Sequence, residues 1–221
     1  MKSKSLVALV SLLIFTLPIS VGASSLNKAE DGVPEQNMDN YINQLETYVK
    51  IDNDGTISLD SSYKEDLEIP KKVTEGIEDW MNYLNQLVRD GKADINEDLE
   101  VSVDQDVQGL NTSNGDISLF ASGRSGVDVH WWGYNIFLNS TETRTVYQSF
   151  KTSGGAMDGA AVISRFIPVP PTQLVSAISG AIGGGLVGFG NMIQDENQGN
   201  GVRIRFTGLG YAAVPTGVFP Q

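Results

Sequence analysis

The chain has no cysteine among its 221 residues and a single histidine, His130. Without cysteine there is no disulfide staple, no thiolate metal site and no thiol nucleophile. With one imidazole, and no thiol to add to it, none of the familiar zinc sets or nucleophilic pairs is complete. His130 stands on a candidate strand beside two tryptophans, a setting for packing or hydrogen bonding. Carboxylates are scarce in the second half, where only Asp128, Glu142, Asp158, Asp195 and Glu196 occur. The run Gly183-Gly184-Gly185 is not followed by Lys-Ser/Thr, so it is no phosphate loop. Asp52, Asp54 and Asp60 suggest a calcium loop, but the spacing fails. With Gly55 as the sixth residue, Lys50 falls at the first ligand position and Ser61 at the twelfth. No catalytic residue, cofactor or metal site is therefore expected, and the chain reads as a non-enzyme.

Basic residues are few as well, and the formal net charge is -12. The deficit is local: residues 24–123 hold 22 acidic and 7 basic side chains, whereas residues 124–221 hold 5 and 6. So acidic a first half excludes nucleic acid as its partner, because phosphate binding needs a basic face. The same charge keeps that half off an anionic membrane surface.

A third absence is the most informative. From Phe166 to Gln194 the chain runs 29 residues without Asp, Glu, Lys, Arg or His. Within that run Ser176, Gly180, Gly184 and Gly188 recur every fourth residue, which on a helix makes one small-residue stripe for close backbone approach. A single helix from Pro171 to Gln194 would span about 36 Å at 1.5 Å per residue, against about 30 Å of hydrocarbon. Three consecutive glycines oppose that continuity in water, at about 1 kcal/mol each relative to alanine. Two readings follow: a core helix, or a segment that enters a membrane.

The present residues organise the rest. Lys2, Lys4, the apolar stretch Leu6 to Val21 and the small residues Val21-Gly22-Ala23 have the form of a secretory signal over 1–23. The protein is accordingly expected outside the cell. Residues 24–103 read as an acidic unit of helix, hairpin and helix, a candidate pro-region. Its first helix lies within Gln36 to Lys50, its hairpin turns at Gly55, and its second helix follows Pro70 with Val73, Ile77, Trp80, Leu84 and Leu87 on one side. A short strand is expected over Leu99 to Val103. Residues 104–125 turn polar and Gly/Ser/Asn-rich and read as a linker, in which Arg124 offers a basic processing site.

From residue 126 the pattern changes. Val127, Val129 and Trp131 alternate with Asp128 and His130, and Trp132 to Leu138 continues as a strand or a second strand bent at Gly133. Asn139-Ser140-Thr141-Glu142 is a helix entry. Two apolar helical pieces follow, Ala156 to Phe166 and a second from Pro171 towards Ile193, expected to form an antiparallel hairpin. Val202 to Phe206 reads as a strand with Arg203 and Arg205 on one side. Trp131 and Trp132 are candidates for a membrane interface, though core packing is the common role of strand aromatics. The fold class is α+β: a small acidic unit, a linker, then a few strands packed with a Gly/Ala-rich helical hairpin.

The block His130-Trp131-Trp132-Gly133-Tyr134-Asn135-Ile136-Phe137-Leu138-Asn139 resembles the HWWG signature of a group of secreted bacteriocin-like proteins of Gram-positive bacteria. The order of parts is similar too, including the basic strand at Val202 to Phe206 and the ending Pro215-Thr216-Gly217. One departure is that Gln173, Asn191 and several serines make the helical region less apolar than a committed transmembrane hairpin. The resemblance implies an antimicrobial or toxin polypeptide that acts on a target-cell membrane or envelope, with self-association through the small-residue stripe. It carries over no catalytic residue. The other reading is an extracellular binding or structural protein whose helices stay buried.

Overall fold

The computed structural model describes residues 35–104, 107, 110, 121–152, 154–182, 184–208 and 214–221. The expected signal over 1–23 and most of the expected linker lie outside them.

Helical spacing of Met38, Ile42 and Leu45 gives α1 (Glu35–Glu46), and all three are buried. The helix stops earlier than the sequence pattern suggests, because Val49 onwards enters an antiparallel hairpin of β1 (Val49–Ile51) and β2 (Ile57–Leu59). Gly55 holds the turn at φ 78°, a conformation that glycine adopts without strain. Asp54 accepts bonds from the Thr56 backbone N–H at 3.2 Å and the Thr56 hydroxyl at 2.6 Å, so its carboxylate organises the turn. After the one-turn α2 (Tyr63–Asp66), α3 (Lys71–Arg89) starts behind Pro70 and buries Val73, Ile77, Trp80, Met81 and Leu84. Asn85 fastens it to the hairpin, bonding both the N–H and the carbonyl of Ile57 at 2.7 Å. A second hairpin joins β3 (Ala93–Ile95) to β4 (Val101–Val103). The sequence pattern foresees only its second strand.

The second half is built on a four-stranded antiparallel sheet in the order β5 (Gly126–His130), β6 (Gly133–Leu138), β7 (Val202–Thr207), β8 (Val214–Pro220). The strands β5 and β6 form a tight hairpin whose two tip residues are Trp131 and Trp132. One face of the sheet is apolar. Val129, Tyr134 and Phe206 sit in one cross-strand row, Val127, Ile136, Ile204 and Val218 in the next, and Leu138 and Val202 in a third, all buried. The edge strand β8 begins and ends near prolines, Pro215 and Pro220, which an edge position tolerates. Those prolines disguise it as a loop in the sequence.

Four helices sit between β6 and β7: α4 (Ser140–Lys151), α5 (Ala156–Ile163), α6 (Pro171–Ala181) and α7 (Gly185–Glu196). The first has a complete capping box. Asn139 accepts from the N–H groups of Thr141 and Glu142, and Glu142 accepts from the N–H of Asn139. This helix is the hub, with α5 and α7 packed on it and α6 and α7 reaching β8.

The helical piece expected from Pro171 towards Ile193 is corrected to two helices, α6 and α7, bent by 88° at the glycine run, where three consecutive glycines oppose continuity. Gly184 lies at φ 89° and Gly185 at φ 58°, left-handed conformations that end one helix and begin another. The α+β class stands, with seven helices and eight strands among the described residues.

Contacts run across the expected boundary between the halves. The Trp80 indole N–H donates to the His130 carbonyl at 2.7 Å, and its ring meets Tyr134 edge-on at 5.2 Å. Glu100 forms an isolated antiparallel bridge with His130. Val107 and Leu110, in the stretch expected to be a linker, are buried. One continuous apolar core includes residues of both halves.

Candidate functional site

Two surfaces carry the chain's unusual chemistry. The first is the outer side of the α6–α7 pair. Inward-facing Leu174, Ile178, Phe189 and Ile193 are fully buried. Outward stand Ser176, Ser179, Gly180, Val187 and Asn191, with Val175, Ile182, Leu186 and Met192 half-buried between them. No charged residue occurs before Asp195, and Val187 is 52 % exposed. Met157 on the neighbouring α5 is also exposed.

The small-residue stripe is corrected in the same place. Ser176 and Gly180 lie on α6, Gly184 caps α7 and Gly188 lies within it, so the four residues do not share one helix face. A side chain added at Gly180 meets nothing within 4 Å, so no neighbouring helix approaches there. Within α5 and α7, close packing against another helix occurs at two other glycines. A Cβ at Gly190 would lie 3.1 Å from Phe150 Cβ and 3.2 Å from the Tyr147 carbonyl oxygen. One at Gly159 would lie 3.2 Å from Phe150 and Ser149. These are the contacts of α7 and α5 with α4. Their sequence signal is weak, since each is a lone glycine within an apolar helix.

No single helix among the described residues is long and apolar enough to cross a membrane. The bent pair α6–α7 meets the length and composition requirements jointly, as a broken span or a re-entrant loop.

The second surface is the polar face of the sheet. Alternation puts Asp128, Asn135, Arg205 and Gly217 in one cross-strand row and Phe137, Arg203 and Phe219 in the next. At the hairpin tip, His130 stacks on Trp132 with centroids 4.7 Å apart and planes 5° from parallel. The guanidinium of Arg205 lies 5.5 Å from the Trp132 ring and 5.2 Å from the Phe219 ring. Arg203 lies 4.5 Å from that same Phe219 ring, and Arg124 lies 3.7 Å from Phe137. Gly217 opposite Arg205 has no side chain to compete for this space. The result is an alternation of guanidinium and ring, attracted through the electron-rich ring faces.

Of the two tryptophans expected at an interface, Trp131 is corrected: it is turned inward and 4 % exposed. At a two-residue tip only one ring can go to each side, and Trp132 takes the outer one. Trp132 is half-buried under its cationic and imidazole neighbours.

Two carboxylates answer the three arginines. Asp128 pairs with Arg124, and Asp39 of α1 pairs with Arg205. Arg203 has no carboxylate partner among the described residues, and the Nε–H groups of Arg203 and Arg205 are buried without an acceptor. Burial holds the His130 imidazole below its ordinary pKa; Asp128 opposes this, while Arg205 and Arg203 add to it. The ring is therefore neutral at pH 7. Its Nε2 lies 2.9 Å from the Asn135 side-chain amide.

Arg124, the expected processing site, is well anchored. Its N–H donates to Gln221 Oε1 at 3.0 Å and its carbonyl accepts from Gln221 Nε2 at 3.2 Å. A protease would have to open these bonds first. Among the described residues no group of three or more His, Asp or Glu is placed to hold a metal. No protein-family model matches the chain, and no curated protein and no solved structure matches it.

Proposed function

We propose that this chain is an exported, bacteriocin-like polypeptide that acts at target-cell membranes through the α6–α7 pair. The observation that carries the reading is the uncharged outer side of that pair. A solvated helix ordinarily sets charges there. Here the outer side offers only small, hydroxyl, amide and aliphatic groups, none of which forbids contact with lipid.

The bend supplies a route. In water Leu174, Ile178, Phe189 and Ile193 pack into the core, and Val187 projects from the outer side. At a bilayer the same helices can exchange the core for hydrocarbon with little change in apolar burial, since lipid tails and protein interior are alike in polarity. Two N–H groups at the bend are paired internally, that of Gly185 on the Ile182 carbonyl at 2.8 Å and that of Gly188 on the Gly184 carbonyl at 3.2 Å. Internal pairing of this kind is what irregular backbone needs inside a membrane. The acidic unit, held by Trp80 and Asp39, acts as the mask of the stored form.

The test is dye release from vesicles by the mature chain, 24–221, at micromolar concentration. Release is expected, and Val187→Glu abolishes it without lowering the thermal midpoint. Vesicles that stay sealed overturn the membrane mechanism.

A second reading has its own support, the complete burial of Leu174, Ile178, Phe189 and Ile193. On it the protein is a non-enzymatic extracellular binding or structural module. Amide exchange decides: protection across residues 171–194 that is unchanged by added lipid favours this reading.

A further inference from the structure

We infer that the polar face of the four-stranded sheet binds a soluble polyanion with repeating phosphate groups, and that Asp39 occupies part of that site as an internal surrogate anion. The inference is independent of the membrane reading, because it concerns the sheet face turned away from the buried apolar rows.

Charge gives the first argument. The second half holds six cationic side chains, and three of them, Arg124, Arg203 and Arg205, converge on this one face. Two carboxylates pair with them, so the three guanidiniums carry one positive charge in excess of their ion-pair partners. The acidic half does not cancel it at a distance, because charges are screened beyond about 8 Å at physiological ionic strength.

Hydrogen bonding gives the second. A guanidinium has five N–H donors and is costly to bury with those donors unmet. Among the described residues, the one acceptor on the guanidiniums of Arg203 and Arg205 is Asp39. Arg203 lies against the Phe219 ring and Arg205 beside both the Phe219 and Trp132 rings, contacts that restrict both guanidiniums before an oxyanion binds.

Spacing gives the third. Arg203 and Arg205 are two residues apart on β7, so their Cα atoms stand about 6.6–6.8 Å apart on the same face. Arg124 lies across the sheet from Arg203, beside Phe137. Several cations gathered on one face suit a repeating anion better than a single one. The rings of Trp132, Phe137 and Phe219 already meet imidazole or guanidinium groups, which compete with stacking bases and disfavour a nucleic acid. Asp39 shows that a carboxylate oxygen reaches Arg205, and its own side chain is 64 % exposed, so a competing anion can displace it.

The experiment measures binding of long-chain inorganic polyphosphate to the mature chain by calorimetry across a salt series. Saturable, salt-sensitive binding is expected. Arg203→Gln weakens it several-fold and lowers the slope of log affinity against log salt by about 0.7, the value for one phosphate contact on a single strand. Asp39→Asn does the reverse and tightens binding, since the surrogate is gone. Arg165→Gln, in the turn after α5 and paired with Glu142, leaves it unchanged. Circular dichroism checks that each variant is folded. Absence of binding, or tightness unaltered by both Arg203→Gln and Asp39→Asn, overturns the proposal. So does binding to phosphatidylglycerol vesicles that depends on Arg203 while polyphosphate is ignored, because the ligand would then be a lipid headgroup. Vesicle dye release, which tests the membrane reading, is unaffected by any of these results.

Discussion

Helix α3 and the α6–α7 pair bury their inner sides equally well and differ only on the outside. Ile77, Trp80 and Leu84 are fully buried on one, and Leu174, Ile178, Phe189 and Ile193 on the other. Outward, α3 carries Lys71, Lys72, Glu75, Asp79 and Arg89, with a Lys71–Glu75 ion pair one turn apart. The outer side of α6–α7 carries no charge before Asp195. Inner periodicity therefore reports only that a helix packs. The outer side reports which solvent it can meet, and α3 is bound to water in a way that α6–α7 is not.

The comparison breaks most severely if the two cores are unequal. Trp80→Ala removes a large buried ring and the donor to the His130 carbonyl, and is expected to cost about 3–5 kcal/mol. Phe189→Ala, which empties the space beside Phe150, is expected in the same range. Urea unfolding measures both. A loss below about 1 kcal/mol for Phe189→Ala would mean that α7 is already loose in water, and the contrast with α3 would then extend to the core.

Smaller effects separate true packing glycines from the stripe that the spacing suggests. Gly190→Ala brings a methyl against the Tyr147 carbonyl and Phe150, and is expected to destabilise by about 1–3 kcal/mol. Gly180→Ala meets open space in a helix and is expected to stabilise by about 0.5–1 kcal/mol. Thermal midpoints moving in opposite directions confirm the assignment; two losses would restore Gly180 to a helix contact. Val187→Lys, on the exposed side, is expected to change stability by no more than about 0.5 kcal/mol.

Much of this architecture was legible residue by residue. Pro70 and the Val73–Ile77–Trp80–Leu84 spacing announced α3, Gly55 announced the first hairpin, and Asn139 with Glu142 announced the start of α4. These are local signals, satisfied within a few residues. The strand β8 was not legible, because Pro215 and Pro220 deny its pattern and only the edge position excuses them. The Gly190 and Gly159 contacts were hidden for a related reason. A glycine says that a close approach is allowed, but its partner helix is chosen by the fold. The polar sheet face was half legible: Arg203 and Arg205 were seen on one side of a strand, but Phe219, Trp132 and Asp39 join them only through pairing across the sheet and from residue 39 to residue 205.

The smallest expected effect concerns pH, and it separates the two halves again. Desolvation holds His130 below its ordinary value of 6.5, so between its folded pKa and 6.5 the unfolded chain binds more protons than the folded one. Stability from this group is complete above 6.5, declines as pH falls below that value, and levels off beneath the folded pKa. In the acidic half the sign is the same but the window is lower. The hydrogen bond from Lys50, followed by those from Ser62, holds Asp60 well below 3.8, so its contribution is present above 3.8 and fades as pH falls further. Asp60 is solvent-screened and its share is slight. Thermal midpoints should thus show two separate declines on acidification. His130→Gln should flatten the upper decline and leave the lower one in place. A variant that keeps the upper decline would assign it to another group.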